Sequence, residues 1–106
     1  MFDEQYDGST IRLLWGESFV IALGANPSTG FSWQVLEIDV TILEKTGDHE
    51  FMPNPEGEIS PGAGGRQLLT FRAISTGTTT LRLAYKQPWD EQAKPAKTFT
   101  IEVVIV

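Results

Sequence analysis

Cysteine is absent from the 106 residues. That excludes disulfide staples, thiolate nucleophiles and cysteine-based zinc sites together. It also leaves the compartment open, because a chain without thiols is at ease in either redox environment. Lysine and arginine number only eight against fourteen acidic residues, a formal net charge of −6. A polyanionic backbone needs a basic stripe to bind, so nucleic acid is excluded as a partner. No apolar run approaches the ~20 residues that cross a bilayer, which argues against membrane insertion. The opening MFDEQYDGS has neither a basic region nor an apolar one, so it does not read as a signal peptide.

Histidine occurs once, as His49. Asp48, His49 and Glu50 are consecutive, and neighbouring strand residues point to opposite faces, so they cannot converge on one metal ion. No G-x-S-x-G elbow is present, and no carboxylate pair is singled out by spacing. The residues therefore indicate neither an enzyme nor a cofactor. His49 reads as an exposed loop residue.

What is present is a core in short pieces. Hydrophobic residues make up 41% of the chain, including three Trp, six Phe and two Tyr, which is ample for a packed globule. The dominant period is two. Ile11, Leu13 and Trp15 alternate, as do Phe19, Ile21 and Leu23, then Phe31, Trp33 and Val35. Leu69, Phe71 and Ala73 follow, then Leu81, Leu83 and Tyr85, and last Phe99, Ile101, Val103 and Ile105. Alternation puts these side chains on the core face of strands. Thr70, Arg72, Arg82, Lys86, Thr98, Thr100 and Glu102 fall on the solvent face. Ile38 to Leu43 reads as a further strand, with a helical turn as the other reading. Gly16-Glu17 and Ser75 to Gly77 are tight joins, glycine allowing positive φ. The pattern predicts one domain over residues 1–106, an all-β antiparallel β-sandwich of two sheets.

Three connections are richer than a turn requires: Asn26 to Gly30, Pro53 to Gly65, and Gln87 to Ala96. Alternate connections of a sandwich emerge at the same end, and these follow the second, fourth and sixth strands. They should gather at one pole. In NPSTG, Pro27 presets φ, Asn26 can cap its own backbone and Gly30 supplies positive φ. Phe31 and Trp33 should point into the core and anchor the loop's exit. PGAGGR lacks the following helix and lysine of a phosphate cradle, and reads as backbone that a partner can approach closely. Trp89 has no periodic partner and should be exposed, as binding tryptophans are.

The three loops occur in order, as NPSTGFSW, GAGGRQLLTF and QPWD, on an all-β frame. In this they resemble the chagasin family of cysteine-peptidase inhibitors. The resemblance runs from about Gly16 to Val106. It implies an immunoglobulin-like β-sandwich with three loops at one end that occlude the cleft of papain-like cysteine peptidases, reversibly and with no cofactor. Asn26, Pro27, Ser28, Thr29 and Gly30 match the central loop, with Phe31 beside it. Gly62, Ala63, Gly64 and Gly65 match a GxGG loop, and Gln87, Pro88 and Trp89 an RPW loop. Ser28 stands where threonine is usual, and Gln87 where arginine is usual, so a charge-assisted fork is missing. A monomer is expected. The rival is an immunoglobulin-like adhesion or carbohydrate-binding module with Trp89 as its platform, which would leave Pro27 and the glycines without a role.

Overall fold

The computed structural model describes residues 1–47, 50–53, 64–90, 92 and 94–106. The runs of period two become six of the eight strands among the described residues: β1 (Thr10–Leu13), β2 (Ser18–Ala25), β3 (Ser32–Glu37), β4 (Leu43–Lys45), β5 (Glu50–Pro53), β6 (Gly65–Ala73), β7 (Gly77–Lys86) and β8 (Lys97–Ile105). The short β4 and β5 are the other two. One sheet has the order β1-β8-β7-β3. The other has β2-β6-β4, with β5 also pairing β6. Their inner faces enclose the core, built from the alternating residues of both sheets. Ile21, Leu23, Leu69, Phe71, Leu81, Leu83 and Val103 are fully buried. The named strands pair antiparallel, except that β1 runs parallel to β8.

Two local readings are corrected, and the two tight joins hold. Trp15 does not continue the core face of β1 and is 68% exposed. The register with β8 runs to Leu13. The Trp15 N–H still donates to the Val106 carbonyl, but the chain is already turning there, the Glu17 N–H donating to the Leu14 carbonyl. The alternation therefore stops one step before Trp15, whose indole N–H instead donates to the Ile74 carbonyl at 3.0 Å. The Gly16-Glu17 and Ser75–Gly77 joins each carry the chain from one sheet to the other, β1 to β2 and β6 to β7. Positive φ at Gly16 and Gly77 serves that crossing. Finally, Ile38 to Leu43 is mostly a helical turn. The Ile42 and Leu43 N–H groups both donate to the Asp39 carbonyl, and only Leu43 enters β4. The Thr41 hydroxyl and then its N–H donate to the Asp39 carboxylate, holding its pKa below the usual value.

β5 lacks a clean alternation, and Phe51 and Met52 are both exposed. It continues the line of β4 along β6, with Leu43 to Lys45 opposite Ala73 to Phe71 and Glu50 to Pro53 opposite Leu68 to Gly65. The two act as one interrupted edge strand. The chain direction entering the second rich loop is therefore the one a single fourth strand would give.

A buried amide joins the sheets. Gln67 on β6 lies in phase with Leu69 and Phe71 and is only 4% exposed. Its Oε1 accepts from the Trp33 N–H at 2.8 Å, and its Nε2 donates to the Trp33 carbonyl at 3.1 Å. The side chain takes the place of a neighbouring strand for edge strand β3. Gln67→Met keeps the volume and orphans both backbone groups, so it should cost about 1–3 kcal/mol. A urea titration with an unchanged midpoint would show that the amide is dispensable.

Candidate functional site

The central loop is shaped by its own polar groups. Pro27 to Thr29 form a single 3-10 turn after β2. The Asn26 Oδ1 accepts from the Ser28 N–H at 3.1 Å and from the Ser28 hydroxyl at 2.6 Å. The Asn26 carbonyl accepts from the Thr29 N–H at 3.2 Å and the Thr29 hydroxyl at 2.7 Å. Asn26 thus caps the turn with its side chain and closes it with its backbone. Gly30 ends the loop at φ +77°, a left-handed conformation that other residues adopt only under strain.

The loop's flanks are held from the opposite sheet. The Asn26 N–H donates to the Tyr85 hydroxyl at 2.9 Å, and the Trp33 indole N–H donates to the Gly24 carbonyl at 3.0 Å. Tyr85 packs between the two aromatics of the loop's exit, 5.5 Å from Phe31 and 5.2 Å from Trp33 by ring centroids. Lys97 Nζ lies 5.6 Å from the Tyr85 centroid, within cation–π range. Trp33 is buried as expected, and Phe31 is half-buried against the core. Beside the loop, Gly24, Thr29, Phe31, Tyr85 and Lys97 line a recess of about 350 Å³.

The described ends of the three loops lie at one pole. Ala25 at the end of β2 is the register partner of Gly65 at the start of β6, so the second loop ends where the first begins. A Cβ on Gly64 would lie 3.6 Å from the Ala25 carbonyl. Ser32, where the chain leaves the first loop, is opposite Lys86, where it enters the third. Gln87 and Asp90 close that third loop's turn through an N–H···O bond of 3.1 Å, with Pro88 and Trp89 at its corner. Trp89 is 70% exposed. Its ring lies over Gly30, and a Cβ there would come within 2.7 Å of Trp89 Cη2. Gly62 and Ala63, like Asp48 and His49, lie outside the described residues.

Periodicity placed Tyr85 in the core but could not reveal what its hydroxyl holds. Gln67 carried a signal, a polar residue in phase with a buried face. Glu4, which accepts from the Gly24 N–H at 2.6 Å, carried none.

Residues 12–103 match the family described as Chagasin family peptidase inhibitor I42. Amoebiasin-1 of Entamoeba histolytica is 31% identical over 100 residues, which are 94% of this chain and 93% of that protein. Amoebiasin-2 of the same organism is 28% identical over 102 residues, 96% of this chain and 81% of that one. The crystal structure of the Entamoeba histolytica cysteine protease inhibitor EhICP2 superposes with a TM-score of 0.81 at 24% identity, covering 99% of this chain and 92% of that one. This last likeness is one of fold.

Proposed function

The chain belongs to the chagasin family of peptidase inhibitors, and from that premise we propose how it inhibits papain-like cysteine peptidases. The central loop, Asn26 to Gly30, enters the catalytic cleft. The glycines ending the second loop lie along one wall, where their backbone can pair with an extended edge of the enzyme. Trp89 packs on the other wall. The chain performs no catalysis; it occupies the site reversibly, one copy to one enzyme.

One observation carries this reading: the loop at the pole is already braced by its own hydrogen bonds in the free protein. Its turn is closed by four hydrogen bonds onto Asn26, and its last residue is covered by Trp89. A loop that loses little freedom on binding gives up little of its interaction energy to ordering, so tight inhibition needs no covalent step. The same turn explains survival beside a thiolate. Attack requires a carbonyl carbon at roughly 3–3.5 Å in an open trajectory. The Asn26 carbonyl is turned inward onto Thr29 and is not presented as an extended substrate bond.

Papain with a fluorogenic peptide substrate tests the reading. Inhibition should be competitive, and activity should return fully on dilution. A chain that leaves papain untouched, or is cleaved within NPSTG, overturns it. Trp89→Ala should weaken inhibition by about 2 kcal/mol, near thirtyfold, if the ring is a hot spot. Its melting midpoint should hardly move, since most of the ring is in solvent. Early melting with normal inhibition would assign Trp89 to the fold instead.

A further inference from the structure

The last residues of β2 are supported differently from the rest of the strand. One side of β2 pairs with β6 along its whole length. On the other side, the Phe2 N–H donates to the Val20 carbonyl at 2.8 Å, and the Ala22 N–H donates to the Phe2 carbonyl at 2.7 Å. The next donor on that edge is the Gly24 N–H, two residues before the central loop. By then the N-terminal segment has turned away into a 3-10 turn at Glu4–Tyr6. No carbonyl of that segment follows the edge, and the Glu4 carboxylate reaches it instead, Oε1 accepting from Gly24 N at 2.6 Å. Beyond Glu4 the edge is held by Trp33 and Tyr85, at the Gly24 carbonyl and the Asn26 N–H.

Gly24 is where such support matters most. Glycine has the widest backbone freedom of any residue, and here it stands directly below the loop. An acceptor bearing charge makes a bond roughly twice as strong as a neutral one. We infer that Glu4 is a positioning residue for the inhibitory loop: its carboxylate locks Gly24 and so fixes the angle at which Asn26 to Gly30 leaves β2. The inference rests on the reading that this loop enters the peptidase cleft. Glu4 lies outside residues 12–103, so the family match assigns it no part.

The structure supplies its own control. The Asp7 carboxylate accepts from the Thr100 N–H at 2.8 Å, tying the same segment to β8 without touching β2. Inhibition constants for papain and thermal midpoints are measured for the full chain and for Glu4→Ala, Glu4→Gln and Asp7→Ala, at a temperature where each is folded. Glu4→Ala should raise the inhibition constant about tenfold, and Glu4→Gln, which keeps an acceptor oxygen, no more than about threefold. Asp7→Ala should melt earlier yet inhibit within about twofold of the parent. Amide exchange at Asn26 and Ser28 should quicken in Glu4→Ala alone. Parent-strength inhibition by folded Glu4→Ala overturns the proposal, as does an equal loss in Asp7→Ala, which would mark a general effect of the segment. A parent chain without inhibition overturns the underlying reading first, before any variant is compared.

Discussion

Gly30→Val should cost at least a hundredfold in inhibition of papain while leaving a folded domain. Two separate effects fall on the same atom. At φ +77° a β-branched residue is strained by about 1–3 kcal/mol before it touches anything. The new Cβ would also lie 2.7 Å from Trp89 Cη2, closer than real contacts allow, so the indole must leave its seat. The substitution therefore displaces the first and third loops together. Ser28→Ala is the contrast, since it removes one hydroxyl bond within the loop, worth about 0.5–1.5 kcal/mol. The coupling can be isolated. In a Trp89→Ala background the clash is gone, so Gly30→Val should lose less there, by a coupling on the order of 1 kcal/mol in a double-mutant cycle. Full inhibition by folded Gly30→Val would mean that the loop stays outside the cleft and serves only to join β2 to β3.

Trp33→Ala should destabilise the domain by about 3–5 kcal/mol, as truncation of a large core side chain does. Trp33 is 3% exposed and packs on Tyr85. Its indole N–H also holds the Gly24 carbonyl, so the variant leaves a cavity and loosens the base of the central loop. For a domain of this size the thermal midpoint should fall by roughly 4 °C or more per kcal/mol. Inhibition should weaken even at temperatures where the variant is folded. Trp15→Ala is the matched comparison: the same residue type, placed by the same alternation, but two-thirds in solvent. It should stay within about 1 kcal/mol of the parent. Equal losses for the two would contradict the register of β1 and β3.

Those two tryptophans mark how far the sequence could be read. Period two reports which face of a strand a residue occupies, and it places Trp33 well because β3 pairs with β7 on both sides of it, from Ser32 to Val35. It fails at Trp15 because the chain is already turning there, past the end of β1 at Leu13, and alternation carries no mark of where a strand ends. The glycines of the two tight joins were legible as turns, since positive φ is a local requirement. That they carry the chain from one sheet to the other was not. A join within one sheet and a crossing between sheets use the same residues, and the choice lies with packing on both faces. Ile38 to Leu43 misled for a related reason. β-branched residues favour a strand, but the Asp39 cap offers the backbone local hydrogen bonds that compete with one.

The all-β class, the core faces, the left-handed glycine of the central loop and the order of three loop motifs were determined by sequence alone. Each depends on residues near one another in the chain, through strand alternation and allowed φ. The tertiary structure decided everything that depends on the tip of a side chain meeting a distant backbone. Glu4 meets Gly24 across 20 positions, Gln67 meets Trp33 across 34, and Tyr85 meets Asn26 across 59. The seating of Trp89 over Gly30 belongs with them. Periodicity can mark that a side chain such as Gln67 or Tyr85 is buried but not which backbone group it meets. The partner is fixed only when the fold closes on its core and brings distant segments within hydrogen-bonding reach.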